Sequence, residues 1–477
     1  MKNLIKLYSL IFASLLIVSC GDEDLEPTLA MDKDTATGIQ NADDLRSVLN
    51  SAYNRMSSSS YYMRNFIVMG EVRTDNMYAN MNSGRFASSD MNHNSDGFSE
   101  ESWGTIYGVI AITNIVANVD VASLEGNPAE INHLIGQAHA LRALCHFDLL
   151  RNYGQHFIDG QGGANALGVP YVKTYKDPAN LSPVRDTVLS NVTDIMADFQ
   201  GGIALMNDTF DVTTSYMTRS GAYALMARAA LYFGAVDSSF YATAGAAAKW
   251  VIDNSSAGPV SASAFKASYY TDNAVNSLFE IEATGTDNPG INGLAYMYRG
   301  SSYGDVRILT GTGANPDLYD ILTATDVRGT VNGMIGTQQG YPTIIGKYPT
   351  TTGSDNVTVI RVEEMHLIYA EALLRAGNAS GALSYLNNVP ALRNAPTYTS
   401  ATLDNILTER RKEFYGEGLR FYDLARNGKD MPLINSFIQL NDDLTGTPPA
   451  FGSYRYAYPI NISERNANPN IVQNAGY

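Results

Sequence analysis

Apolar residues recur at steps of three and four over much of this chain, and the stretches where the recurrence stops are as informative as those where it holds. From Asn41 to Met56, Leu45, Val48, Leu49, Ala52 and Tyr53 fall on one stripe, Asn41 stands where an N-cap would, and Asp43 and Asp44 suit a first turn. This predicts an amphipathic helix. The period returns at Trp103, Tyr107, Ile110, Asn114 and Ala117. It returns again over His139 to Gly154, with Leu141, Leu144, Cys145 and Leu149 in step and Gly154 as a stop, and over Thr187 to Leu205. Val169 to Val172 reads as a short strand or extended link. Two later stretches share one plan. Gly221 to Gly234 is followed by Tyr241 to Ile252 with Ala244, Ala248 and Val251 in step; Arg361 to Gly377 is followed by Ala379 to Val389 with Ala382, Tyr385 and Leu386 in step. Each predicts a helix, a Gly corner and a second helix whose alanines allow close crossing. Near the end, Leu403, Ile406, Arg410 and Phe414 keep helical spacing, Gly416 and Gly418 interrupt it, and Phe421 with Leu424 starts a new apolar face.

Between these stretches the period fails twice. Residues 57 to 100 are rich in Ser, Asn, Gly, Met and Tyr, and residues 253 to 360 in Gly, Asn, Thr and Tyr, with Leu278 to Ile281 and Thr343 to Ile345 as short strands. A long irregular stretch inside a compact protein is either functional or disordered. Tyr61, Tyr62, Tyr78, Phe86 and Phe98 argue for order in the first; Tyr269, Tyr270, Tyr296, Tyr298, Tyr303, Tyr319, Tyr341 and Tyr348 crowd the second. The expected fold is mainly α: helical pairs within 103–252 and 361–428, carrying two irregular, loop-rich lobes with a few short strands.

The 477 residues are 45% hydrophobic and 17% charged, enough for a large core. A formal charge of -16 excludes nucleic acid and anionic lipid surfaces as natural partners, since both reward a basic face. Residues 1 to 19 change the picture. Lys2 and Lys6 precede an apolar run from Leu7 to Val18 that is short for a membrane span, and Ile17-Val18-Ser19-Cys20 has the form of a lipobox. Signal removal and acylation of Cys20 are expected, taking the charge from -16 to -18 as Lys2 and Lys6 leave. With Cys20 acylated, Cys145 has no disulfide partner within the chain. The acidic, Pro-containing segment that follows, Gly21 to Pro27, suits an extended tether, assigned to residues 20–38.

The C-terminal corner, ERRKEFYGEGLRFYDLARNG from Glu409 to Gly428, is dense with opposite charges among aromatics that must be at least half buried. Buried charges persist when paired and hydrogen-bonded, and Arg offers carboxylates a bidentate fork. Each carboxylate here has an Arg within a helical turn, which lowers its pKa rather than raising it as a general acid requires. An ion-pair lattice fixing a bend is therefore expected.

The order E-R-R-x-E, E-G-x-R, D-L-x-R-x-G resembles the RagB/SusD family of outer-membrane nutrient-binding lipoproteins. So do the lipobox, LRALCHFDLLRNYG from Leu141, SGAYALMARAALYFG from Ser220, Lys347-Tyr348, RVEEMHLIYAEALLRAG from Arg361 and the closing NPNIVQNAGY. The resemblance covers residues 39–477 as one SusD-like domain. It departs where the family has Arg-x-Arg and this chain has Val389-Pro390-Ala391-Leu392-Arg393, expected to reshape a surface turn. It implies a tetratricopeptide-like scaffold, a SusC-like TonB-dependent transporter as partner, and a glycan or peptide ligand. The acidic run after Cys20 resembles the export signal of Bacteroidetes surface lipoproteins, which implies an outer-membrane anchor facing outwards.

Sugars present C–H faces to aromatic rings and hydroxyls to Asn, Asp and Arg. In family members the loop at Arg73 lies close to the ligand, so the resemblance points to Arg73, Asp75, Asn76, Tyr78, Arg85 and Phe86 in the first lobe. Asp75 could equally fix its loop. Tyr296, Tyr298, Tyr303 and Arg307 are the second-lobe candidates, on a wet surface expected to join residues 57–100 with 290–345. Trp103 and Trp250 both fall on helix stripes and read as core, so tyrosine, present 30 times, is left to do the stacking. That favours a short oligosaccharide, or a peptide, over a long polysaccharide.

Catalytic signatures are scarce: no HExxH or Walker loop occurs and no cofactor motif, and GxSxG occurs only at Gly300 to Gly304, inside the Tyr-rich irregular stretch. His139 and His146 could share a helix face, but satisfied structural histidines explain them far better than a metal site does. Glu363 and Glu364 are adjacent, hence on different helix faces, and read as Arg partners. The chain reads as a binding protein rather than an enzyme; a surface hydrolase would need two converging, unpaired carboxylates.

Overall fold

A computed structural model describes residues 38–80, 83–86, 102–299, 304–311, 315–439 and 449–477. The expected signal, Cys20, the tether, Phe98 and Tyr303 lie outside the described residues. In chain order the main elements are α1 (Ala42–Met56), α2 (Asn65–Val72), β1 (Met77–Ala79), α3 (Trp103–Ala117), α4 (Pro128–Tyr153), α5 (Val188–Leu205), α6 (Arg219–Phe233) and α7 (Phe240–Asn254). Then follow β2 (Ser277–Ile281), α8 (Leu294–Arg299), β3 (Val306–Ile308), β4 (Ile335–Gln338), β5 (Tyr341–Ile344) and β6 (Val357–Arg361). The chain closes through α9 (Val362–Arg375), α10 (Ala379–Ala391), α11 (Leu403–Phe414) and α12 (Arg420–Ala425).

Polar caps start the long helices where the sequence places them. The Asn41 side chain accepts from the Asp44 amide at 2.9 Å, and Thr187, Thr218 and Thr402 cap α5, α6 and α11 in the same way. The helices pack as neighbours: α4 on α5, α6 on α7, α9 on α10, with α7 also against α9. Where α4 crosses α5, a Cβ on Gly136 would sit 2.6 Å from the Gly202 carbonyl oxygen, so only the missing side chain permits this approach. The strands form three antiparallel two-stranded ladders, β1 with β3, β2 with β6 and β4 with β5. The architecture is mainly α, a scaffold of helical pairs with a few short strands.

Several elements differ from the sequence reading, each for a physical reason. Helix α4 begins at Pro128, well before His139, because His133 and Gln137 bury their polar atoms against each other at 3.0 Å and so mask the apolar stripe. Helix α2 lies within the first irregular stretch; all its residues are buried, so it shows no amphipathic period. Val169 to Val172 is an extended link, not a strand, with the Tyr171 amide bonded to the Asp186 carboxylate at 2.7 Å. Trp103 is core, but Trp250 is only partly buried and stacks on Tyr223 with ring centroids 3.8 Å apart.

The charged corner is an ion-pair lattice, though not a local one. Glu413 accepts from Arg361 at 2.5 Å, Arg393 at 2.8 Å and Arg328 at 3.1 Å, all from outside its own helix. Glu409 joins Arg328 at 2.6 Å, Glu417 joins Lys347 at 2.6 Å, and Glu363 joins Arg393 at 2.9 Å. Burial alone would raise the Glu413 carboxyl, but the three guanidiniums outweigh it and hold the group well below the ordinary range. A second cluster ties Glu364 to Arg228 and Arg410, and Asp423 to Arg410 and Arg426. The Val389 to Arg393 departure is no surface turn. Arg393 is completely buried and central to the lattice.

Removing one partner of such a pair strands the other charge in a low-dielectric site. Arg393→Met should lower the unfolding free energy by about 3–5 kcal/mol, read as an earlier urea midpoint. Arg375→Met, whose side chain is 32% exposed beside Glu371, should cost about 1 kcal/mol or less.

Candidate ligand-binding face

Three segments remote in sequence meet on one face. Strand β1 pairs with β3 in the register Met77 to Ile308, Tyr78 to Arg307, Ala79 to Val306, and further backbone bonds from Leu309 to Asn76 and from Asn80 to Asp305, both 2.8 Å, extend the ladder. Strand alternation sends Met77, Val306 and Ile308 into the core and leaves Tyr78 and Arg307 side by side on the other face. The third segment is the hairpin β4–β5, whose turn residues Gln339 and Gly340 both have positive φ, 52° and 80°, as a two-residue hairpin turn of this hand requires. The turn places the Gln339 side chain to accept from Arg307 at 3.2 Å and lays the Tyr341 ring on the guanidinium, 3.7 Å to the ring centroid.

Arg307 is only 8% exposed, whereas Tyr341 is 47% exposed. Arg307 also hydrogen-bonds the half-buried Tyr78 hydroxyl; burial raises that phenol's pKa and Arg307 opposes the rise. The rim is polar. Arg85 reaches Asp305 at 2.9 Å and Asn292 at 3.1 Å, and Asn80 donates to the Gly304 carbonyl at 2.5 Å. Tyr296 is partly buried against the core beneath.

The other sequence candidates stand inside the protein and touch protein groups. Arg73 is clamped between Phe421 and Tyr458, 3.3 and 4.1 Å to the centroids, and donates to Asn152. Asp75 takes both arms of Arg420 at 2.8 and 2.7 Å; burial would raise its pKa, but Arg411 and Arg420 outweigh it and hold it low. Asn76 donates to Glu71 and accepts from Arg411, Phe86 is buried at φ 61°, and Tyr298 donates to the Gly416 carbonyl while stacking on Tyr348. These five brace the face instead of lining it, a correction to the sequence reading for Arg73, Asn76, Phe86 and Tyr298, while Asp75 takes the loop-fixing role the sequence also allowed. Period and composition do not distinguish a Tyr facing out from one facing in; register does. Tyr341, not singled out from the sequence, would have been found from the turn-forming Gln339-Gly340 pair before it.

A polar cleft of about 710 Å³ beside the Asp75 pair is lined by Arg411, Arg420, Asp404, Lys429 and Met431. A separate groove of about 720 Å³ between α7 and α9, floored by Gly245, Ala246 and Ala372, shares no lining residue with the face. His139 bonds Asp198 at 3.0 Å, and burial pushes His146 down to about 3. Among the described residues no three His, Cys, Asp or Glu side chains converge as metal ligands would, and no helix is long and apolar enough to cross a membrane.

Tyrosines and arginines on loop-borne strands, braced by helical pairs, define a class of protein: a tetratricopeptide-like scaffold carrying a polar-aromatic face. The comparisons give that class a family. Residues 336–477 match the model of the SusD family, and residues 24–231 match a model described as starch-binding and associating with the outer membrane. A SusD superfamily protein from Bacteroides thetaiotaomicron is 27% identical with a TM-score of 0.80, over 91% of this chain and 99% of that one. The starch-binding protein SusD of B. thetaiotaomicron is 34% identical over 142 residues, 29% of this chain and 24% of that protein. SusD-like protein P38 of Formosa agariphila is 28% identical over 135 residues, 26% of this chain and 25% of that protein. The aligned segments thus span about a quarter of each curated relative. The chain belongs to the SusD/RagB family.

The face is tied to the charged corner through Glu71, which is buried and accepts from the Asn76 amide group and the Gly418 N–H. Burial raises its carboxyl from 4.5 to about 7. In the unfolded chain the group ionises near its ordinary value, so between pH 4.5 and 7 folding retains a proton the unfolded state has released. The Glu71 contribution to stability should therefore fall across that window and level off above it, opposed by the buried neutral His146 and His156, whose contributions rise with pH. The loss is on the order of 3 kcal/mol. In urea titrations at stepped pH, the stability of the unmutated protein relative to Glu71→Gln should decline between pH 4.5 and 7 and stay constant above.

Proposed function

We propose that this protein is a cell-surface lipoprotein that captures an oligosaccharide on the Tyr78–Arg307–Tyr341 face and hands it uncleaved to a TonB-dependent outer-membrane transporter. The observation that carries the reading is the exposed Tyr341 ring held rigidly on Arg307. A ring fixed by a partner loses little freedom when a sugar's C–H face stacks on it, and Gln339, Asn80 and Arg85 stand near for hydroxyls. The matched family descriptions, starch-binding and outer-membrane association, support the same reading. The lipid anchor rests on the Ile17 to Cys20 motif, and the transporter on family membership.

Binding rather than cleavage suits the carboxylates of the charged corner. Glu363, Glu409, Glu413, Glu417 and Asp423 all contact Arg or Lys, and Glu71, raised to about 7, is sealed from solvent. A general acid needs a raised pKa and access to the glycosidic oxygen together.

Protein beginning at Gly21 should show a raised thermal midpoint with its oligosaccharide, and the sugar should be recovered intact. Tyr341→Ala should weaken that binding about tenfold and leave the unliganded midpoint nearly unchanged. A response to peptide pools alone would replace glycan by peptide, and recovered cleavage products would overturn the non-catalytic reading. In cells, Cys20→Ser should release the chain from the outer-membrane fraction on fractionation.

A further inference from the structure

We propose that the glycan taken by this face is anionic, carrying a uronate carboxylate or a sulfate ester that pairs with Arg307. The inference rests on the glycan-binding reading above and adds the ligand's charge. Its ground is a missing counter-ion. Most deeply buried arginines among the described residues have a carboxylate partner: Arg142 with Asp198, Arg151 with Asp148, Arg228 with Glu364, Arg328 with Asp326, Arg361 and Arg393 with Glu413. Two that lack one are enclosed in the core, where Arg73 leaves its Nε and Nη1 without a hydrogen-bond acceptor. Arg73 is clamped between rings, and Arg185 donates to the carbonyls of Gly168, Tyr153 and Val472 and to Asn474.

Arg307 is the different case. It is 8% exposed, it has no carboxylate within ion-pair distance among the described residues, and its polar partners are neutral, the Gln339 amide and the Tyr78 hydroxyl. Its guanidinium lies directly beneath the exposed Tyr341 ring, at the edge of the core. The neighbouring Arg85, by contrast, is already neutralised by Asp305 at 2.9 Å.

A ligand laid on Tyr341 would strip the remaining water from Arg307. With a neutral sugar, the charge loses solvation and gains only weak acceptors; with a carboxylate or sulfate, the planar fork gains a charge-assisted, bidentate partner. The whole-molecule charge of -16 opposes polyanions at a distance. At physiological salt that repulsion is screened beyond roughly 8 Å, so contact with Arg307 decides.

The test is a glycan array holding neutral, uronic-acid and sulfated oligosaccharides, probed with protein beginning at Gly21, its hits then titrated by calorimetry. Acidic hits should bind about tenfold or more tighter than neutral oligosaccharides of the same length. That preference should disappear in Arg307→Gln and persist in part in Arg307→Lys. In the unmutated protein, raising NaCl from about 50 to 500 mM should weaken acidic hits and leave neutral binding unchanged, a readout independent of whether the variants fold. Uronate or sulfate as the stronger class identifies which anion the site takes. Neutral glycans binding as tightly as acidic ones, or a preference untouched by Arg307→Gln or by salt, would overturn the proposal and leave the glycan-binding reading standing. An array with no hit of any charge would overturn both.

Discussion

The rest of the structure depends on the pairing of charges that the fold has taken out of water. Glu413 receives three guanidiniums, and around it Asp326, Glu363, Glu409 and Glu417 are matched by Arg328, Arg361, Arg393, Lys347 and Lys412. The lattice thus balances five acids with five bases. Such a cluster contributes less net stability than its Coulomb energy suggests, because each ion was desolvated to enter it. Its strength is conditional. Every member is required once the others are buried, so the strands and helices that carry them can assemble in one arrangement only.

That arrangement reaches the ligand face by short physical links. Residues of α11 and α12 send Arg411 and Arg420 to Asp75, while the corner between them sends the Gly418 N–H to Glu71, and both contacts hold the loop that becomes β1. The contact is tight because two glycines face each other. A Cβ on Gly70 would lie 2.4 Å from the Gly418 carbonyl oxygen, and Gly418 itself has φ 76°, open to glycine at little cost. Lys347 and Tyr348, next to the hairpin β4–β5, bond Glu417 and the Gly416 carbonyl, which fixes the hairpin to the same corner. The two irregular segments therefore hang from one bend and meet edge to edge.

A face built this way can differ from the scaffold that holds it. The lattice neutralises its own charges, but the β1–β3 ladder holds Arg307 beneath Tyr341 with no acid beside it among the described residues. The scaffold supplies rigidity, and in the proposed function Tyr341 and Arg307 at its edge supply recognition. For the same reason changes at Tyr341 bear on ligand, while changes at Arg73 or Asp75 bear first on folding.

Much of the scaffold was legible in the residues themselves. Apolar period, capping Asn and Thr, Gly corners and alanines at crossings describe local geometry, and they located the main helical pairs, the strands at Leu278 and Thr343, and the charged bend. Reading stopped where burial hid the period, as in the wholly buried α2 and the first half of α4. The ligand face was legible only by halves. Tyr78 and Arg307 could be picked as types, but nothing along the chain said that they stand opposite each other, that Tyr341 covers them, or that Arg73, Asp75, Asn76, Phe86 and Tyr298 turn inward. By itself the sequence determined which segments are helical, that buried acids must meet arginines, and the family pattern at the corner, because each follows from neighbours within a few residues. Partner choice was decided by tertiary structure alone. Which Arg meets Glu413, and which Arg meets none, depends on contacts between residues far apart in the chain, where spacing carries no information.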